Sequence, residues 1–446
     1  MPQGTGTAPA SPNGTPAGAS LARAGAGAQA SGTTPGNTSE APKAPAGGTA
    51  SGQGSDRAAG GAAPTPGPGG GASAPAPAAP GGPKSPVVLA SVGTYSGPAG
   101  GVLAPIMAGS QVWVKWINQR GGLNGHKVNY LVYDDAGDPA RHSAQVKEAV
   151  EQRGAIAFLT NAEAVTGQSG AAYITSKRVP VVGMSGGENW AVDSPMYFPQ
   201  KSFGPGLYQL FPRAFAPVVV PKGMTKWGIV YCVEAQGCKD VARTFADESD
   251  KLGYKLVYQA QASIAQPDFT AECLSARNAG VQALEVLLDQ TSVERFATAC
   301  NRQGYRPQYL IPSQALADRL KDNPLLDGAL SVTDVFPWFV SGTPAVDEFH
   351  AAMKAFGANV PPGLQPAEGW VSGKLLEVAA ANLEEPPTTA QILAGLWKVR
   401  NNTLGGITAP LTFTENQPTK PYACGALVVT RNGAWVASDP TVKCYP

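Results

Sequence analysis

The stretch PVVLASVGTYSGPAGGVLAPIMAGSQVWVKWINQRGGLNGHKVNYLVYDDAGDP, residues 86–139, decides the architecture. Its β-branched opening, 87–92, predicts a strand, and the apolar pattern of 102–119 predicts a helix. Gly121-Gly122 can supply the positive φ that stops that helix, and Gly125 turns the chain into a second strand, 128–133. Asp138-Pro139 reads as an N-cap with proline at the first helical position. Strand, helix and strand in this order form the unit of a parallel sheet covered on both faces.

Working outward, the rhythm continues. Helices are predicted at 140–153 and 164–177, with strands at 155–160 and 180–183. After Trp190 the pattern pauses, then resumes with strands at 227–231, 255–259, 283–288 and 309–311. Helices at 239–252, 269–278 and 293–303 separate them. Downstream, 345–356, 369–382 and 389–397 read as helices and 425–430 as the last strand, so the chain is expected to recross and pack on the earlier sheets. The stretch of about 360 residues from Pro86 exceeds what one hydrophobic core usually serves. Two α/β lobes are therefore expected: 86–211 with 338–422, and 212–337 with 423–446.

Composition bounds what lies before. From Met1 to Ser85 there is no aromatic residue, Val or Ile, and Leu21 is the one Leu. Such a tract cannot bury enough apolar surface to offset the entropy of ordering, so 1–85 is expected to be a disordered Gly/Pro/Ala-rich linker. As a flexible coil it would span about 50 Å, enough to hold a folded body off a surface.

The chain carries 33 basic and 32 acidic residues, a formal net charge of +1, with no basic block, which argues against nucleic-acid binding. No run of 18 apolar residues is present to span a membrane, and no charged-then-apolar leader follows Met1. An export signal is thus missing from this sequence. Either the natural start differs, a leader has been removed, or the protein is cytoplasmic.

The six cysteines, Cys232, Cys238, Cys273, Cys300, Cys424 and Cys444, favour the first two explanations. Fifteen connectivities are possible for six cysteines. Nearest-neighbour pairing gives Cys232–Cys238, Cys273–Cys300 and Cys424–Cys444, and six buried thiols are the alternative. No CxxC occurs, and His126, His142 and His350 lie far from the cysteines, so neither a metal site nor a cofactor is expected.

Three pieces of the opening stretch carry a resemblance. They are Gly93-Thr94-Tyr95-Ser96-Gly97-Pro98, Trp116-Ile117-Asn118-Gln119-Arg120-Gly121-Gly122-Leu123-Asn124-Gly125, and Tyr133-Asp134-Asp135-Ala136-Gly137-Asp138-Pro139. In register, they resemble the substrate-binding proteins of branched-chain amino-acid ABC importers, the leucine/isoleucine/valine-binding type of type I periplasmic binding protein. The resemblance implies two Rossmann-like lobes with parallel central sheets and three crossovers. It also implies a small polar or amino-acid-like ligand gripped by hinge closure, ABC permease subunits as partners, a monomer, and an extracytoplasmic location, secreted or as a surface lipoprotein. A ligand-sensing receptor or regulator of the same fold is the alternative.

The resemblance places the ligand at strand ends facing the cleft. Candidates in the first lobe are Tyr95, Asn161, Glu163, Ser185, Gly186 and Trp190; in the second they are Glu234, Gln236, Asp289, Gln290, Ser313 and Gln314. Asp134 and Asp135 are expected to be structural. The family's two hydroxyl residues align with Ala164 and Gly187, and no carboxylate stands at Pro312-Ser313-Gln314 to meet an α-ammonium. A charge-assisted hydrogen bond contributes about 1.5–3 kcal/mol, so their loss argues against a standard amino acid. Glu163, Glu188, Glu234 or Asp289 could substitute. An enzyme reading has one foothold, Gly183-Met184-Ser185-Gly186-Gly187, which fits the G-x-S-x-G of a serine hydrolase with His350 downstream. Against it, 188–199 reads as a loop where the elbow needs a helix.

Overall fold

The computed structural model describes residues 84–446. The linker expected at 1–85 falls outside the described residues except for its last two, and these are held. Ser85 N donates to Glu385 at 3.0 Å, and Lys84 Nζ donates to the Asn124 carbonyl at 2.7 Å.

The first sheet is wholly parallel. Its strands are β1 (Val87–Gly93), β2 (Val128–Asp134), β3 (Ala157–Asn161), β4 (Val181–Met184) and β5 (Tyr197–Phe198), in the order β2-β1-β3-β4-β5. Helices α1 (Gly97–Gln119), α2 (Pro139–Glu151) and α3 (Gln168–Lys177) connect them. Every residue of β3 and β4 is buried, as a sheet covered on both faces requires. The anticipated punctuation is present. Gly121 and Gly122 have φ of 106° and 90°, and the Asp138 carboxylate accepts from Ala140 N and Arg141 N.

Next come α4 (Gly204–Val219), β6 (Lys226–Cys232), α5 (Gln236–Leu252), β7 (Lys255–Ala262), α6 (Thr270–Asn278), β8 (Ala283–Leu287), α7 (Gln290–Arg302), β9 (Gln308–Ile311) and β10 (Leu330–Thr333). Helices α8 (Pro344–Phe356), α9 (Leu364–Ala379) and α10 (Thr389–Leu396) return to the first lobe, where α8 and α9 lie along α1. The chain crosses a third time into β11 (Cys424–Arg431), β12 (Ala434–Val436) and β13 (Lys443–Cys444). The second sheet runs β7-β6-β8-β9-β10-β11-β12, parallel as far as β10 and antiparallel beyond, with β13 paired to β11. Two α/β lobes joined by three crossovers are thus the architecture, as expected.

Helix α4 had no counterpart in the sequence reading. Pro212 and Pro217 lie within it, yet it forms because Leu207, Phe211 and Phe215 are driven onto the second sheet. Burying each phenylalanine stabilises by about 1.5–3 kcal/mol, comparable with the cost of a helix-interior proline. Most of the helix packs against α5, β10 and β11, while its first turns also meet the 186–193 loop of the first lobe, so the boundary expected at residue 211 falls inside a continuous helix. In the first lobe, α1 and α9 approach so closely that a Cβ on Gly369 would lie 1.9 Å from the Ile106 carbonyl oxygen. That contact brings the N-terminal turns of both helices to the floor between the lobes.

The cysteines pair with their nearest neighbours, Cys232–Cys238, Cys273–Cys300 and Cys424–Cys444.

Candidate ligand-binding site

The carboxyl ends of the strands in both sheets converge on a cavity of about 160 Å³. The first lobe contributes Ala164 and Val165 after β3, Ser185 and Gly187 after β4, and one face of α1: Ala99, Val102, Leu103 and Ile106. These four occupy positions i, i+3, i+4 and i+7, a single helical stripe. The second lobe contributes Cys232, Glu234 and Val241 around the start of α5, with Ile264, Leu287, Leu288, Asp289, Pro312 and Gln314. Gln365 and Glu368 of α9 and Tyr208 of α4 complete the wall. The open end of the sheets, at the switch between lobes, is where α/β proteins bind ligands.

Four of the twelve anticipated residues line this cavity: Ser185, Glu234, Asp289 and Gln314. Each is tied down. Ser185 N and Oγ both donate to the Glu188 carboxylate, and Gly186 N donates to its other oxygen, so Glu188 folds into its own loop. Burial raises the Glu188 carboxyl above its usual range. Glu234 Oε1 accepts from Ser263 Oγ at 2.6 Å and Ile264 N at 3.0 Å, joining the loops after β6 and β7. Asp289 caps α7 by accepting from Thr291 N and Ser292 N. Gln314 Oε1 is buried without a partner.

The other eight lie outside the lining, for identifiable reasons. Asn161 Oδ1 accepts from Val92 N at 3.0 Å inside the first sheet. Tyr95 packs its ring beside Leu103 and bonds Ser91 through its hydroxyl, and Trp190 packs on the main core. Gly186 turns at φ 106° against Leu207 and Lys201. Gln236 donates to Asp240, Gln290 opens α7, and Ser313 Oγ donates to Asp334 at 3.2 Å. Glu163 is consumed by His142, whose Nε2 lies 3.0 Å away while its Nδ1 lies 2.9 Å from Asp135 Oδ2. Burial pulls the His142 pKa down, but the two carboxylates outweigh it and hold the imidazole at about 9. Asp134 and Asp135 are structural, as expected: Asp134 accepts from Tyr95 N, and Asp135 from Thr94 Oγ1 and Gly137 N.

What the sequence reading missed is the apolar wall and one carboxylate. The stripe on α1 is visible only as a charge-free run from Gly97 to Val114. Glu368 is a lone acid in the otherwise uncharged Leu364–Gly373. Its Oε1 lies 2.7 Å from Lys201 Nζ, and Lys201 also meets Asp334 Oδ2 at 3.0 Å, with all three side chains buried. Burial and the neighbouring Asp334 raise the Glu368 carboxyl far above its usual range; the two carboxylates, despite burial, keep Lys201 an ammonium. One cation between two acids leaves Glu368 holding the extra proton.

The serine-hydrolase arrangement is not assembled. Ser185 is followed by a loop and a short 3₁₀ turn, Asn189–Asp193, and its hydroxyl is bonded to Glu188. His350 gives its Nε2 to the Val340 carbonyl.

Fold and cavity together define a two-lobed α/β protein with a cavity lined from both lobes. The comparisons carry this further. The periplasmic binding protein family matches residues 86–433, and the chain belongs to it. Among solved structures, a substrate-binding periplasmic protein from Ralstonia solanacearum superposes with a TM-score of 0.69 at 21% identity, covering 79% of this chain and 100% of its own. A branched-chain amino acid ABC transporter protein from Thermus thermophilus with bound valine gives 0.70 at 18%, covering 81% and 97%. A fatty acid ABC transporter substrate-binding protein from Thermomonospora curvata gives 0.67 at 16%, covering 80% and 92%. No curated protein matches by sequence.

Proposed function

We propose that this protein is the extracytoplasmic solute-binding component of an ABC importer, and that it closes two lobes on a small, mainly apolar molecule. The observation that carries the reading is the cavity, whose wall is divided between the lobes. A ligand touching both halves favours the closed state by its differential affinity for it, and permease subunits would read that state. The moving bodies would be 84–203 with 335–422, and 204–334 with 423–446, with the three crossovers as hinges. The three disulfides favour an oxidising compartment. We read the protein as a monomeric binder with no catalytic role.

The ligand class departs from the amino-acid-like one the resemblance implied. Ala164 and Gly187 stand at the two hydroxyl positions, and both face the cavity. Val, Leu, Ile and Ala supply eleven lining residues from both lobes, against the few polar groups named above. An α-amino acid would bury a zwitterion there with few partners for its carboxylate, and uncompensated charge burial costs several kcal/mol. Valine and fatty acids, named for two structural neighbours, share an apolar body, and that body is what this wall complements. Small-angle scattering with and without a ligand found by thermal shift tests the reading. Compaction on binding is expected; binding with unchanged dimensions would refute hinge closure.

A further inference from the structure

We infer that the ligand is an aliphatic molecule whose polar end donates hydrogen bonds and carries no negative charge. This rests on the solute-binding reading and narrows it. The acidic residues of the wall are Glu234, Asp289 and Glu368, of which Glu368 holds its proton, and no Lys, Arg or His lines the cavity among the described residues. The buried ammonium behind the wall, Lys201, is already held by Asp334 and Glu368. A ligand carboxylate would thus enter an apolar space against like charge with no cation to meet it.

The polar atoms offered to a ligand are mostly acceptors. The Glu234 and Asp289 carboxylates flank the same wall of the second lobe, and each, with three donors already bound, keeps a lone-pair position for one more. A hydroxyl, a primary amide or an ammonium can satisfy such a set; a carboxylate cannot. The tail is aliphatic because the wall is. Tyr208 supplies the one aromatic ring in the lining, whereas Val102, Ile106, Ile264 and Leu287 face inward from both lobes. At about 160 Å³ the space matches an apolar cavity that holds a benzene-sized guest, so about six to eight non-hydrogen atoms fit. Val165 and Val233, 37% and 47% exposed after strands of opposite lobes, extend the apolar surface outward.

Four five-carbon probes that differ in one end group test this on the full chain at neutral pH: 1-pentanol, pentanamide, pentylamine and pentanoate. At least one of the first three is expected to raise the melting temperature and give a calorimetric binding isotherm, with pentanoate weaker by about tenfold or more. Val102→Phe and Ile264→Phe fill the cavity from opposite lobes, and each is expected to abolish the response. Pentanoate binding as tightly as the best of the others overturns the inference and leaves solute capture standing. A response that survives both cavity-filling substitutions overturns it as well. Silence of all four probes overturns the inference, and silence together with binding of an amino acid overturns the apolar-ligand reading as well.

Discussion

Lys201 Nζ lies 3.0 Å from Asp334 Oδ2, and the two residues stand on different passages of the chain between lobes. Lys201 follows β5 on the first crossover, Asp334 follows β10 on the second, and Glu368 of α9 completes the cluster beneath the cavity. The ammonium therefore ties two crossovers together where the lobes would pivot.

Because the cation serves two buried acids, its removal is expected to cost far more than neutralising one of them. Lys201→Met leaves Asp334 without its counter-charge and should lower unfolding free energy by about 3–5 kcal/mol. Glu368→Gln replaces a carboxyl that already retains its proton and should cost about 1 kcal/mol or less. Urea denaturation of both variants measures the difference; equal losses would contradict the assigned protonation.

Glu285, in the middle of β8, has both carboxylate oxygens buried and unpartnered. Burial alone raises its pKa far above the ordinary 4.5, so the folded protein keeps it protonated. The sign follows: this group's contribution to stability is complete below about 4.5 and falls as pH rises, at up to about 1.4 kcal/mol per unit. Glu285→Gln should be more stable than the parent at pH 8, with the advantage shrinking toward pH 5. Melting curves across that range check it, and a pH-independent difference would refute it.

His142 sits between Asp135 and Glu163, its pKa raised from 6.5 to about 9. The stability it supplies is present below pH 6.5 and is lost as pH rises through 9, about 3 kcal/mol in all. His142→Gln should remove that amount at pH 6 and abolish the decline between pH 7 and 9.5. Nitrogen NMR of the imidazole should show it still protonated at pH 8; a neutral ring there would end the argument.

Two of the disulfides should differ in what they protect. Cys232–Cys238 lines the cavity and clamps the loop carrying Glu234, so replacing both with Ser should weaken ligand binding roughly three- to tenfold by restoring loop entropy. Cys273–Cys300 joins α6 to α7 away from the cavity. Its loss should cost about 3–4 kcal/mol of stability and leave affinity unchanged. Calorimetry on the two double-serine variants separates the effects.

Much of the fold was legible because its signals are local. A β-branched run, an N-cap with proline behind it, and a glycine pair that ends a helix act within a few residues of themselves, and 86–139 contains all three. The short buried strand β10 and the helix α4 were not legible. Four residues such as Leu-Ser-Val-Thr carry no period, and the prolines of α4 speak against a helix that only the second sheet's surface rescues.

At the cavity, strand order in the amino-acid sequence indicated which loops reach the cleft, and Ser185, Glu234, Asp289 and Gln314, expected on that ground, line it. Which acids remain available to a ligand was decided by tertiary structure alone. His142 takes up Glu163, the Ser185 loop takes up Glu188, and Lys201 draws Glu368 to the floor of the cavity. A buried charge must find its partner in space, wherever that partner lies along the chain, and no spacing rule within a strand or helix reports the pairing.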